Sequence, residues 1–361
     1  MGGRRRIATY DLVRLVAISL VVLIHVLSPF WGAGALVLGD LDLVRIFSRS
    51  IRFVVPLFVM VTGALSWTRG ESASSGGAGG SGWGAFLLRR LRGVLVPYVV
   101  WSMIFMQLAR PIWPLSIGAF DGVVSDLLLG TAWYHLYFVP VILGVYLLAP
   151  AASLIYRRAG AVVVMLISLG LGIVVPAEAA RLGMQGRLFV DVVVLVTSYL
   201  PFAGLGAWYE SMRGSVRWRS IERYAWLPLL LGGLALRVWF GALRPWPADP
   251  YVSAGVGVLL NVVQCFGLLG LLRVVADGVP KVTGLATGLA PLVYGVYLTH
   301  PLLVKAAVPL VIDGPMPPAV WVIFMWPAIA AVSFIAVRWA SRYSALWWLH
   351  GVSPASARSA N

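Results

Sequence analysis

The first apolar stretch of the chain carries three ionisable side chains, Asp11, Arg14 and His25. Arg14 and His25 are 11 residues apart, or about three turns of an α-helix, which places both on one face about 16 Å apart along the axis. Asp11 precedes Arg14 by three residues and can pair with it. A neutral imidazole can accept a proton at neutral pH, and a guanidinium fork can hold an anion. Because ionisable groups in an apolar helix are costly, these three residues are functional candidates.

The composition indicates which elements must position these side chains. Of the 361 residues, 60% are hydrophobic and 11% are charged, whereas soluble domains carry about 25% charged residues. This excludes a cytosolic enzyme, a disordered chain and a nucleic-acid-binding domain, and it makes the lipid bilayer the first expected partner. A single cysteine, Cys265, excludes a disulfide framework and a cysteine zinc cluster. Four scattered histidines with few acids in the membrane predict no metal site.

Apolar stretches long enough to cross a bilayer recur along the whole chain. Their continuous apolar runs are typical of helices and not of barrel strands, so we expect an all-α integral membrane protein. We expect a transmembrane domain over 1–345 and a short cytoplasmic tail over 346–361. The sequence predicts ten spans, near 12–30, 50–67, 88–108, 132–150, 160–176, 189–209, 224–243, 252–274, 286–309 and 319–339.

The basic residues predict the orientation of these spans. With the N-terminus in the cytoplasm, 18 of the 28 Lys and Arg residues fall in cytoplasmic segments, 7 in outer segments and 3 within spans. That bias follows the positive-inside rule and places both termini in the cytoplasm. The 26 arginines against 2 lysines are typical of a GC-rich bacterial genome. We therefore expect a multi-pass protein of a bacterial cytoplasmic membrane, with a net charge of +15 that mainly reflects orientation.

Five segments, in order, resemble motifs of the membrane acyltransferase-3 family, over positions 10 to about 310. Arg14 and His25 match the opening motif, an arginine and a histidine with ten residues between them. In the second motif, Val59 follows Phe58 where the family usually has paired Phe. The other matching segments are Val55 to Gly63, Arg89-Arg90-Leu91-Arg92 with Pro97-Tyr98, His135-Leu136-Tyr137-Phe138 with Tyr146 to Pro150, and Gly295 to Pro301.

The resemblance implies a membrane acyltransferase, most simply an O-acetyltransferase of surface-polysaccharide or enterobacterial-common-antigen type. It would move an acyl group from cytoplasmic acyl-CoA to a hydroxyl of a glycan or glycolipid at the outer side. Acetyl-CoA is then a donor substrate, and no bound cofactor is expected. His25 is the expected base, by direct transfer or through an acyl-histidine. The donor phosphates would be held at the cytoplasmic face by Arg14, with its neighbour Asp11, and by Arg89, Arg90 and Arg92.

Further candidates fall at the outer or middle depths of the predicted spans. His135 and His300 would orient the acceptor, assist His25 or bond to a neighbouring helix. Tyr134 and Tyr297 stand beside them, the alternative for both tyrosines being residues of the interfacial aromatic belt. Arg45, Arg49 and Arg52 are spaced four and three residues apart, so they share a helical face. Arg52 is the best placed of the three to meet an anionic or sugar acceptor, the alternative for all three being interfacial anchoring.

Other functions are compatible with parts of this pattern. Within the enzyme class, the alternatives are an N-acyltransferase and an antibiotic-modifying acyltransferase. A transporter or flippase is the main alternative from another class, but the paired half-sequence repeats typical of many transporters are not found. A nonenzymatic scaffold would leave Arg14 and His25 on one helical face unexplained.

Overall fold

The computed structural model describes residues 7–30, 37–38, 41–68, 82–109, 117–240, 247–312 and 318–351. Besides one antiparallel strand pair, β1 (Val37–Leu38) with β2 (Leu41–Asp42), the regular structure of these residues is helical. The α-helices are α1 Ala8–Leu27, α2 Leu43–Ser50, α3 Val54–Ser66, α4 Trp83–Ala109, α5 Ile117–Leu129, α6 Phe138–Ala159, α7 Ala161–Arg181, α8 Leu188–Thr197, α9 Leu200–Met212, α10 Val216–Val238, α11 Pro250–Gly278, α12 Pro280–Leu289, α13 Val293–Ile312, α14 Pro318–Ala340 and α15 Trp347–His350.

Within these ranges, nine helical stretches are long and apolar enough to cross a membrane. Helices suit these sequences because a helix pairs its own backbone groups, as hydrocarbon requires. Large apolar side chains such as Leu166, Phe324 and Ile335 are exposed, as expected for a surface that meets lipid. The predicted all-α multi-pass membrane fold is confirmed. The nine stretches are Ala8–Phe30, Ile46–Ser66, Trp83–Ala109, Phe138–Ala159, Ala161–Arg181, Leu188–Met212, Pro250–Gly278, Pro280–Leu310 and Val320–Ala340.

The seventh predicted span, near 224–243, is the exception. It falls on α10, which is a continuous helix but carries Glu222, Arg223 and Arg237. These charges, and not a break in the helix, separate α10 from the nine apolar stretches. The cytoplasmic placement of the termini and the domain boundary after residue 345 stay predictions.

The fourth predicted span begins too early. Residues 131–137 form turns, and α6 starts only at Phe138. His135 therefore precedes the helix and does not lie within it. The turn follows Gly130, which has a positive φ of 71° and closely approaches the backbone of Tyr137. A side chain at position 130 would collide with that backbone, so the local fold depends on glycine.

The described residues fall into two compact units. Unit 1 comprises Met1–Phe58, Arg219–Trp246 and Leu259–Asn361, and unit 2 comprises Val59–Trp218 and Pro247–Val258. The first helix and the last four belong to unit 1, whereas α4 to α9 belong to unit 2.

In unit 1, the first helix packs against α12, α13 and α14. Val22 of α1 lies in a buried cluster with Phe30 and Trp321, whose rings meet edge to face at 5.5 Å. The indole of Trp326 donates a hydrogen bond to the carbonyl of Ser19 at 2.8 Å. This bond ties α14 to the middle of α1, the helix that carries Arg14 and His25.

In unit 2, α7 packs along α9, and α3 crosses α9 at backbone contact. A Cβ atom on Gly206 would lie 1.9 Å from the carbonyl oxygen of Met60, and one on Gly63 would lie 2.1 Å from that of Ala203. Only glycine fits at either position, and small residues of this kind allow close helix packing in membranes.

Candidate functional site

Two histidines from distant parts of the sequence meet in unit 1. The ring centroids of His25, in the last turn of α1, and His300, in α13, are 5.3 Å apart, and the ring planes differ by 29°. His300 is fully buried at 0% exposure, whereas His25 is partly buried as a residue and its Nδ1 atom is enclosed. Of the two, His25 is therefore the residue that a substrate can approach, and the buried ring can support it.

The orientation of the His300 ring is fixed by the backbone of its own helix. Its Nδ1 lies 3.0 Å from the carbonyl oxygen of Val296. Because a carbonyl only accepts, Nδ1 carries the proton, and Nε2 of the neutral ring has the lone pair. Pro301 has no N–H, which frees the carbonyl of Tyr297 from the usual helical hydrogen bond, so this carbonyl can also accept from the His300 ring. The dipeptide His300-Pro301 therefore favours the observed position of the ring against the backbone of its own helix.

Tyr297 belongs to the same cluster. Its ring centroid is 6.3 Å from that of His300, one helical turn away, and only 6% of the residue is exposed. Tyr294 stacks on it with nearly parallel ring planes. The predicted candidate Tyr297 therefore lies buried beside the histidine pair.

Arg52 is the predicted outer arginine that the structure brings near His25. It lies in the turn at 51–53 that joins α2 to α3, whereas Arg49 lies at the end of α2, and the shared helical face of the three arginines stays a prediction. The Arg52 side chain is exposed, and it interacts electrostatically with His25. Arg49 is also exposed, at the end of α2, while the side chain of Arg45 lies outside the described residues.

The expected pairing of Asp11 with Arg14 is present on α1. The Arg14 Nη1 and Asp11 Oδ1 atoms are 3.6 Å apart, and the carboxylate is the more buried partner. This pair lies in the first two turns of the helix, whereas His25 lies in the last. The two chemical groups predicted from the first helix therefore stand toward opposite ends of it.

A polar cluster that the sequence analysis missed joins α10 to α11, also in unit 1. The Arg237 Nε donates to Oε1 of Gln264 at 2.9 Å, and its Nη2 donates to Oδ1 of Asn261. The amide nitrogen of Gln264 donates to the carbonyl of Ser50 at 2.8 Å. The sequence does contain an indication of this cluster, because Arg237 lies within the seventh predicted span and the amides Asn261 and Gln264 lie three residues apart in the eighth. Their joining depends on helix packing, which spacing does not show.

The three arginines predicted at the cytoplasmic face lie in unit 2, on the first half of α4. Arg89, Arg90 and Arg92 are exposed. The Arg90 guanidinium lies 5.6 Å from the ring centre of Phe86 and 5.3 Å from that of Tyr146. Such cation–π contacts hold the guanidinium in place without neutralising its charge.

His135 and Tyr134 also lie in unit 2. His135 is buried at 3% exposure, and its ring meets the edges of Phe105 and Tyr134 at 5.3 and 5.7 Å between centroids. Trp133 stacks on Phe105 at 5.1 Å, and Tyr134 is half exposed. His135 is therefore part of an aromatic cluster with one accessible ring.

The fold and the histidine cluster define a class, a multi-pass helical membrane protein with polar, proton-accepting groups among its spans. The chain belongs to the membrane acyltransferase-3 family, since the family model, described as an acyltransferase domain, matches residues 7–338. No curated protein and no solved structure matches this chain. The predicted family is confirmed, and the protein is a membrane acyltransferase.

Proposed function

We propose that this acyltransferase is an O-acyltransferase of a bacterial cytoplasmic membrane. It moves an acyl group, most simply acetyl, from cytoplasmic acyl-CoA to a hydroxyl of a glycan or glycolipid at the outer side. The observation that carries the proposal is the His25–His300 pair inside the membrane-spanning part of a chain from this family. A pair of imidazoles, one of them approachable by a substrate, suits a reaction that begins by removing a proton from a weakly acidic hydroxyl.

His25 acts as the base in this proposal. Its neutral ring takes the hydroxyl proton of the acceptor while the hydroxyl oxygen forms a bond to the thioester carbonyl carbon. The carbon–sulfur bond then breaks, and the proton passes from His25 to the CoA sulfur that leaves. The imidazole returns to its neutral form, and the products are the acylated acceptor and free CoA.

His300 is a positioning residue in the same proposal. Its ring is locked by a carbonyl of α13 and lies face to face with His25, so it limits the orientations of that ring. Tyr297 and Arg52 border the pair and are proposed to contact the acceptor. His135 and Tyr134 are proposed as a second contact for a sugar, because aromatic faces pack well on apolar ring surfaces.

The donor is proposed to be held by arginines at the cytoplasmic face. Guanidinium groups match phosphate geometry, and the CoA phosphates cannot enter hydrocarbon. Arg90 is already fixed between two rings, with Arg89 and Arg92 exposed beside it. Arg14, paired with Asp11, is proposed to guide the pantetheine arm, which would span the roughly 16 Å of helix rise up to His25.

The test is acyl transfer from [14C]acetyl-CoA in inside-out membrane vesicles, counted in the extracted lipid and glycan fraction. His25→Gln removes the base and keeps the size and polarity of the side chain, so we expect transfer to fall by at least about a hundredfold. His350→Gln is the matched control, because His350 lies outside the cluster, in α15, and should keep the wild-type rate. Wild-type transfer by His25→Gln at equal protein level would show that His25 is not the base.

A further inference from the structure

Arg237 is held by groups that satisfy its hydrogen bonds but leave its charge in place. In the described part of the chain, its hydrogen-bond partners are the side-chain oxygens of Gln264 and Asn261, both neutral. The guanidinium is partly buried in the last turn of α10. A cation with restricted access to water is costly unless an opposite charge approaches it.

The same pair of helices holds another arginine differently. Arg273 of α11 forms an ion pair with Glu222 of α10, and both side chains are largely buried. Glu222 lies in the second turn of α10, and Arg237 lies in the last turn of the same helix. The two helices therefore pair one arginine with an acid and the other with amides.

The amides that hold Arg237 also fix the segment that carries Arg52. Gln264 donates to the carbonyl of Ser50, and the thiol of Cys265 lies 3.5 Å from the carbonyl of Phe53. Arg52 lies between these two anchored positions, and it interacts electrostatically with Arg237 as well as with His25. The hydrogen bonds of Gln264 thus tie Arg237 to the segment that carries Arg52 within unit 1, and Arg52 interacts electrostatically with His25.

Close packing makes this arrangement rigid. A Cβ atom on Gly233, one turn before Arg237, would lie 2.5 Å from Cγ of Gln264. A Cβ atom on Gly267 would lie 2.8 Å from the backbone nitrogen of Leu230. Because glycines bring α10 and α11 into close contact next to the cluster, Arg237 and Gln264 have little freedom to move apart.

We propose that Arg237 and Arg52 bind a negatively charged group of the acceptor, a carboxylate or a phosphate, next to His25. Both anions accept paired hydrogen bonds from a guanidinium fork, and either would offset the charge that the amides leave. An acceptor held by its anionic group would present a nearby hydroxyl to His25. This inference rests on the proposed transfer to an acceptor hydroxyl, and it narrows the acceptor to an anionic glycan or glycolipid.

Binding of three small probes to the full chain in lipid nanodiscs tests the proposal without any acyl donor. Phenyl β-glucoside is neutral, phenyl β-glucuronide adds a carboxylate to the same sugar, and phenyl phosphate supplies a phosphate. Each is titrated against the wild type, Arg237→Gln, Arg237→Lys and the matched control Arg223→Gln. Arg223 is exposed on the same helix.

We expect at least one anionic probe to bind at least tenfold more tightly than the glucoside. This preference should disappear in Arg237→Gln and persist in Arg237→Lys and Arg223→Gln. The anionic probe that binds more tightly identifies the group as a carboxylate or a phosphate. Equal binding of all three probes to the wild type would overturn the proposal, and so would an equal loss of all three in Arg237→Gln, which indicates a purely structural role. The role of His25 in acyl transfer is tested separately. If His25→Gln transfers acetyl at the wild-type rate, that role is wrong, whatever the three probes show.

Discussion

The substitution Gln264→Glu separates the charge of Arg237 from its packing. The two side chains are nearly identical in shape, so the contact with the Arg237 Nε at 2.9 Å can persist. What changes is that the partner becomes a carboxylate. The new carboxylate also loses the amide donor that bonds to the carbonyl of Ser50 at 2.8 Å.

The expected magnitudes follow from these two contacts. The substitution leaves the carbonyl of Ser50 facing a carboxylate oxygen in place of the amide donor, which costs about 1–3 kcal/mol of stability, and the charged bond to Arg237 offsets this in part. Unit charges about 4 Å apart attract by about 4 kcal/mol at an effective dielectric constant of about 20. The carboxylate would remove an attraction of that order from any bound anion. Even if desolvation cancels most of it, about 1.4 kcal/mol, or a tenfold loss of anion affinity, remains.

The assay is the same nanodisc titration with phenyl β-glucuronide and phenyl β-glucoside. Gln264→Glu should weaken glucuronide binding at least tenfold and leave glucoside binding within about threefold. In the Arg237→Gln background the same change should have no further effect on the preference, because the charge it neutralises is already gone. Unchanged glucuronide binding by Gln264→Glu would refute the electrostatic reasoning, and an additive loss in the double variant would place the effect elsewhere.

Three other predictions concern the fold and its orientation. Gly206→Ala places a Cβ atom 1.9 Å from a backbone oxygen of α3. It should therefore lower the thermal midpoint by an amount that corresponds to about 1–3 kcal/mol of stability. Gly170→Ala places its Cβ atom in open space and should leave the thermal midpoint unchanged. Equal midpoints of the two variants would contradict the close crossing of α3 and α9. Burial lowers the pKa of His350 below its ordinary 6.5. The neutral ring therefore stabilises the docked α15 fully above pH 6.5, and this contribution is lost as the pH falls through the lower folded-state pKa. The protection factors of the α15 amides, which correct for the pH dependence of intrinsic exchange, should fall on acidification in the wild type and not in His350→Gln, and equal profiles would contradict it. In a background without the native cysteine, an impermeant maleimide added outside right-side-out vesicles should label Gly183→Cys and not Tyr343→Cys, and the reverse pattern would invert the predicted topology.

The membrane fold was predictable because it depends on short-range properties of the sequence. A run of about 20 apolar residues is sufficient to indicate a spanning helix, and nine such runs are helical in the described residues. The seventh predicted span falls on the continuous helix α10, and because that helix carries charges at both ends, its crossing of the membrane stays a prediction. Position 135 was placed in a helix because apolar content does not locate a turn that depends on the conformation of Gly130.

The candidate site was predictable only within single helices. The Asp11–Arg14 pair follows from a spacing of three residues, and the structure contains it. The meeting of His25 with His300 depends on how α1 packs against α13, and no spacing within either helix specifies that contact. Arg237 was missed for the same reason, since its amide partners lie on another helix.

The partner of each arginine indicates what that arginine can do. Arg273 is matched by a buried carboxylate, and Arg14 by Asp11, so an incoming phosphate must compete with an acid already in place. Arg237 is held by amides and Arg90 by aromatic rings, and neither kind of partner removes the positive charge. In the proposed reaction, the phosphates of an acyl-CoA donor would depend more on the α4 arginines than on Arg14, whose paired charge suits it to order the start of α1. By the same reasoning, the charge kept on Arg237 is available to the acceptor.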